Sequence, residues 1–145
     1  MTGRTGACMC GAVRFTAKSL GGFGVCHCEQ CRRWTGSALF AATVPVADMV
    51  LEGAEHIRAF RSSDWASREF CGTCGATLWH RYDKGVDGAG EYEVAIGLLD
   101  DADGLVLERE IFSDEKPDCW ALAGDHARMT RAETLTKYGV HVDGA

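Results

Sequence analysis

The chain has 145 residues, 46% of them apolar and 25% charged, with a formal net charge of −6, the profile of one globular domain large enough to bury a core. The acidic balance, with an isoelectric point near 5.3, works against a non-specific grip on nucleic-acid phosphates, so no nucleic-acid partner is expected. No stretch is long and apolar enough to cross a bilayer as a helix, and Met1 to Ala7 lack the apolar centre of a signal peptide.

A cytoplasmic location is therefore expected, and in that reducing compartment the eight cysteines read as thiols and metal ligands rather than disulfides. In chain order, the first element is the pair Cys8-Met9-Cys10-Gly11. Ala12 to Thr16 then alternates as a strand with one buried face, Val13 and Phe15 pointing inward. The cluster Cys26-His27-Cys28-Glu29-Gln30-Cys31 follows, and after it the turn from Arg32 to Gly36. Leu39 to Val44 is an apolar strand stopped by Pro45, and a helical turn is expected at Val46 to Met49.

Strands are predicted at His56 to Arg61 and at Arg68 to Phe70, leading into a knuckle, Cys71-Gly72-Thr73-Cys74-Gly75. Thr77 to Arg81, Tyr92 to Ile96 and Leu105 to Phe112 complete the strands. Tyr82 to Gly90 reads as a mobile loop on its glycine content, and Thr130 to Leu135 as a second helical turn. Short strands separated by turns predict a mainly β fold, largely antiparallel and folded over on itself, with few short helices and the cysteine clusters at strand ends and turns. One domain over residues 1–145 is expected, its motif-bearing core spanning about residues 6–122 with a C-terminal tail beyond.

Seven of the eight cysteines lie in the three clusters. Each pair followed by glycine can present two sulfurs to one ion, because i and i+2 side chains share a face in extended chain and glycine permits a tight turn. Two such pairs close a tetrahedron around zinc. Cys8 and Cys10 with Cys71 and Cys74 is the simplest solution, although Cys28 and Cys31 with Cys71 and Cys74 is equally good on spacing alone.

Cys26, Cys28 and Cys31 form a set of three, which leaves a fourth vertex open, and open vertices are where zinc does chemistry. Three thiolates leave zinc a formal −1, a weak Lewis acid that is poor at making hydroxide and better suited to binding and deprotonating an incoming thiol. His27 alternates away from the flanking sulfurs, so it is expected to support the ligands rather than join them. Cys119, beside Trp120, reads as a small buried hydrophobe. Trp34 is expected to wall the pocket, while Phe40, Trp65, Trp79 and Trp120 default to core packing. Most of Arg32, Arg33, Arg58, Arg61, Arg68 and Arg81 read as solvated surface groups, and His80 carries no assigned role.

Taken together, Cys-x-Cys-Gly from Cys8, Cys-His-Cys-x-x-Cys-Arg from Cys26, Phe-Cys-x-x-Cys-Gly from Phe70 and Lys-Pro-Asp-x-Trp from Lys116 resemble the glutathione-dependent formaldehyde-activating family, whose domain also occurs in centromere protein V. The resemblance runs from Cys8 to about Trp120. It implies a β-tent of small antiparallel sheets stapled by two zinc ions per chain, one of them labile. By the resemblance, Cys8, Cys10, Cys71 and Cys74 hold a structural zinc and Cys26, Cys28 and Cys31 a catalytic one. The activity implied is that of a carbon-sulfur lyase, joining glutathione and formaldehyde to give S-hydroxymethylglutathione. Two other readings are a non-catalytic zinc-stabilised binding module, which Cys119 would favour by closing the set of three, and a thiol redox sensor built on Cys28 and Cys31.

Overall fold

The computed structural model describes residues 3–83 and 90–138. Within them run eleven strands and two α-helices. Strands β1 (Arg4–Ala7), β2 (Arg14–Ala17) and β3 (Phe23–Cys26) precede α1 (Glu29–Thr35). β4 (Leu39–Pro45), β5 (Met49–Glu52), β6 (Ile57–Arg61), β7 (Ala66–Cys71) and β8 (Thr77–Tyr82) follow. β9 (Glu91–Ala95), β10 (Leu107–Ile111), β11 (Ala127–Arg128) and α2 (Arg131–Tyr138) complete the order. The small sheet is β1-β2-β5, and the large one runs β11-β10-β3-β4-β9-β8-β7-β6. The fold is mainly β, as expected.

Val13, just before β2, and Phe15 within it are buried as the alternation predicts, and Ala17 continues the buried face. They meet the inner face of the large sheet, where Phe15 packs edge-on to Trp79 with centroids 5.6 Å apart and Trp79 meets Tyr92 at 5.2 Å. The Trp79 indole nitrogen donates to Glu69 Oε1 at 2.6 Å, so this buried ring leaves no polar atom unpaired. The close approach needs a glycine: a Cβ at Gly6 would lie 2.4 Å from the Phe15 ring and 2.7 Å from the Leu98 carbonyl oxygen.

Several elements depart from expectation. β1, β3, β5 and β11 are not expected from the sequence, because segments such as Arg4–Ala7 (Arg-Thr-Gly-Ala) are short and carry a single β-branched residue, Thr5, and no aromatic one. The large sheet is not wholly antiparallel, since β10 pairs parallel to both β3 and β11. Parallel pairing joins segments far apart in sequence, and local patterning carries no trace of it.

The Cys26 to Cys31 segment is extended only at its start. It turns helical at Glu29, with Cys28 as N-cap and Gly36, at φ 82°, as C-cap. At seven residues α1 is too short to show a periodic apolar stripe, and its cap is a sulfur rather than the usual oxygen. The turn expected at Val46 to Met49 is a 3-10 turn that gives way to β5.

The second expected helical turn is α2. Its start is a capping box, with the Thr130 amide donating to Glu133 Oε1 (3.0 Å) and the Glu133 amide to Thr130 Oγ1 (3.3 Å). Buried Thr134 accepts from the Phe112 amide at 3.3 Å, and Leu135 and Tyr138 pack against the cluster that contains Cys28 and Cys31. Residues 84–89 of the expected glycine-rich loop lie outside the described residues. No described helix is long and apolar enough to cross a membrane.

Candidate metal centres

Cys8 follows β1 of the small sheet, and Cys71 ends β7 of the large one. Each opens a turn of the same build: the Cys8 amide donates to Val13 O and the Cys71 amide to Ala76 O, both at 3.0 Å, while Gly11 and Gly75 take φ 80°. That left-handed conformation is what calls for glycine after each pair. Amides also point at the sulfurs, with Val13 N 3.3 Å from Cys8 Sγ, and Thr73 N 3.4 Å and Cys74 N 3.5 Å from Cys71 Sγ.

The turns bring Cys8, Cys10, Cys71 and Cys74 together, all four sulfurs within 4.8 Å of one another. Cys8 Sγ is 3.6 Å from Cys10 Sγ, and Cys10 Sγ is 3.9 Å from Cys71 Sγ. A disulfide is far shorter. Zinc–sulfur bonds of about 2.3 Å in a tetrahedron put the sulfurs about 3.8 Å apart, so the spacing suits a zinc ion. Crowding also suits it: Cys74 is drawn down to about 6 by the Ala76 and Cys10 amides. Cys10, exposed and drawn down by the Ala12 amide, is nonetheless pushed up to about 11 by partial desolvation and its neighbouring thiols. Four sulfurs this close cannot all ionise without a cation among them.

The second group is Cys26, Cys28 and Cys31, again within 4.8 Å of one another. Cys26 ends β3, Cys28 caps α1 and Cys31 lies in its first turn, the Cys31 amide donating to Cys28 Sγ at 3.4 Å. The alternative pairing of Cys28 and Cys31 with Cys71 and Cys74 is not the one the fold assembles. Cys28 is driven down to about 2 by hydrogen bonds from Cys26 and Cys31. Cys31, although the Cys26 thiol draws it down, is pushed up to about 12 by Cys28 and burial, and hydrogen bonding with Cys28 raises Cys26 in the same way. Three sulfurs this close cannot all ionise without a cation among them.

Cys119 is exposed and belongs to neither group, so it is not the buried hydrophobe its neighbour Trp120 suggested. His27 stays out of the sulfur group. Buried, it places Nε2 2.7 Å from Glu110 Oε1, and Glu110 also meets His126 and, at 3.1 Å, Arg128 Nε. Burial pushes Glu110 up, but hydrogen bonds from His126 and His27 outweigh it and hold the carboxyl below its usual range. The parallel β3–β10 register sets Glu110 beside Val25, one step from Cys26, and the His27 amide donates to Ile111 O. Strand alternation groups Glu110 with exposed Glu108, so nothing local marked it.

Across the large sheet a row of side chains shares one face through direct cross-strand pairing: Arg68 opposite His80, His80 opposite Glu93, Glu93 opposite Thr43. Arg68 is 3% exposed, which corrects its reading as a surface group. Its alternation with buried Ala66 was the available signal. His80 is buried with Nε2 unpartnered, and burial, assisted by Arg68 and opposed by Cys28, pushes it down to about 3. It is therefore neutral at physiological pH. Its ring sits edge-on to Tyr82 (4.7 Å), which in turn stacks on Trp65 (5.4 Å). Trp34 lines an open groove of about 330 Å³ with Gln30, Arg33, Phe60 and Arg68.

Burial pushes Glu93 up from 4.5 to about 7, despite Thr43 Oγ1 at 2.9 and 3.0 Å from its oxygens. Below pH 4.5 the carboxyl is protonated folded or unfolded. Above it the unfolded chain loses the proton first, so this group's contribution to stability declines as pH rises towards 7. Glu93→Gln should therefore gain stability relative to wild type between pH 4 and pH 8, on the order of 3 kcal/mol, in urea titrations at the two pH values. Parallel profiles would show that Glu93 ionises normally.

Comparison with known proteins accords with this geometry. The model of the family described as glutathione-dependent formaldehyde-activating enzyme matches residues 3–115. An uncharacterised lyase of Schizosaccharomyces pombe is 30% identical over 131 residues, covering 90% of this chain and 93% of that protein. A Halomonas elongata protein, provisionally named a glutathione-dependent formaldehyde-activating enzyme, is 32% identical over 83 residues, covering 51% of this chain and 53% of its own. A crystal structure of a Rhodobacter sphaeroides protein superposes with a TM-score of 0.56 at 30% identity, covering 69% of this chain and 91% of that one. With the family match spanning most of its length and the sulfur groups in place, the chain belongs to the glutathione-dependent formaldehyde-activating enzyme family.

Proposed function

We propose that this single-domain chain is a zinc-dependent carbon-sulfur lyase-type enzyme acting on a small thiol, glutathione, which it joins to formaldehyde as S-hydroxymethylglutathione. The observation that carries the reading is the set of three: half-buried Cys26 and buried Cys28 and Cys31 converge, and no fourth cysteine, histidine or carboxylate joins them among the described residues. Cys8, Cys10, Cys71 and Cys74 are assigned a structural zinc and the set of three a catalytic, more labile one. Zinc in the second site would supply a free vertex at which a thiol's pKa falls, so that thiolate exists at neutral pH.

The chain's own residues then bind and orient. Cys26, Cys28 and Cys31 are held in place by the β3 end and the α1 cap, and His27 anchors the segment between them through Glu110. That anchoring, rather than proton transfer, is the role we assign to His27. The thiol sulfur attacks the formaldehyde carbon and a C–S bond forms. The C=O π pair moves to oxygen, which gains the proton the thiol gave up. Trp34 and the groove beside it would shield one side of the reacting centre.

The test is exchange spectroscopy on a mixture of glutathione and formaldehyde near neutral pH. Zinc-loaded protein should speed interconversion of free and hydroxymethylated glutathione above the protein-free rate, and chelator-treated protein should not. Equal rates in all three samples would end the proposal.

A further inference from the structure

Arg68 is a buried cation whose partners are unusual. One guanidinium nitrogen lies 3.5 Å from Cys31 Sγ and another 3.2 Å from Gln30 Oε1, and the group sits 5.0 Å from the centre of the Trp34 ring. No carboxylate pairs with it among the described residues. Arginine stays charged in proteins, and a buried charge is costly without an opposite one. His80, its cross-strand neighbour, is neutral and offers no compensation. The anionic group within reach is the sulfur set itself.

Resting on the function proposed above, we infer that Arg68 is a positioning residue that supplies the counter-charge for the Cys26, Cys28 and Cys31 site and selects an anionic sulfur as its fourth ligand. Three thiolates and a divalent ion carry a net negative charge, and a fourth thiolate increases it. Such a site repels the ligand it is meant to take. A fixed guanidinium against Cys31 offsets that repulsion for a thiolate and does nothing for a neutral ligand. Its stacking on Trp34 and bond to Gln30, one turn of α1 apart, hold it there when no substrate is bound.

The test uses full-length protein loaded with cobalt(II), whose sulfur charge-transfer absorption reports a new thiolate. Wild type, Arg68→Lys, Arg68→Gln and Arg68→Met are titrated with 2-mercaptoethanol and, separately, with imidazole as a neutral ligand. We expect Arg68→Gln and Arg68→Met to weaken thiolate binding at least about 10-fold, the scale of one lost charge-assisted interaction, with imidazole binding unchanged. Arg68→Lys should recover part of the loss. Equal thiolate affinity in wild type and the neutral variants overturns the role of Arg68 alone, as does a parallel loss for both ligands, which would mark a structural defect. A wild type that takes imidazole but no thiol overturns the thiol reading and this inference together. Where Arg68→Met fails to fold, the glutamine and lysine variants carry the comparison.

Discussion

Cys31→Ser protein should interconvert free and hydroxymethylated glutathione no faster than protein-free buffer, while keeping its fold and one of two zinc ions. Cys31 is 2% exposed in the first turn of α1, and its sulfur faces both Cys26 and Cys28. A serine hydroxyl is close in volume to the thiol but stays protonated at neutral pH, so the site loses a ligand without opening a large cavity. Loss of groups that merely support ligands costs about 10–100-fold in metal affinity or activity, and loss of a ligand from a set of three should cost on the order of 100-fold or more. Metal analysis and exchange rates measured on the same sample separate the outcomes. Wild-type exchange with one zinc fewer would show that the triad is not the reacting centre.

Cys71→Ser should act on stability rather than on chemistry. Cys71 is fully buried in the main core and, with Cys74, meets Cys8 and Cys10 from the other sheet. A metal there ties the end of β1 to the end of β7, two points 64 residues apart in the chain. Structural zinc sites carry apparent binding free energies of about 10–16 kcal/mol in small peptides, against a net stability of about 5–15 kcal/mol for a typical domain. The substitution should cost at least about 3 kcal/mol, a fall in melting temperature of about 10 °C for a chain of this size. Chelation of wild type should do the same. A variant that melts within a degree or two of wild type and retains both metals would remove the bracing role.

The two sulfur groups were differently legible. The pairs at Cys8 and Cys71 announce themselves, because a ligand pair and a glycine within five residues is a local requirement of the knuckle turn. What spacing left open was which pairs meet. Only the packing of the small sheet on the large one, Phe15 against Trp79 with Gly6 giving room, brings Cys8 and Cys10 to Cys71 and Cys74. The helix α1 was hidden by its shortness and by a sulfur cap, so the local conformation at Cys31 was misjudged while its grouping with Cys26 and Cys28 was not.

The sequence by itself determined the ligand inventory, the strand-rich character and the inward faces of strands such as β2, since all three follow from residue type and near-neighbour spacing. The tertiary structure alone decided what surrounds the three sulfurs. Glu110 reaches His27 through a parallel strand pairing, and Arg68 reaches Cys31 across the gap between β7 and α1. Charges are read from sequence as surface groups because isolated burial is costly. Glu110 is buried where it meets His27, 83 residues away in the chain, and Arg68 is buried against Cys31 and Gln30, 37 and 38 residues away.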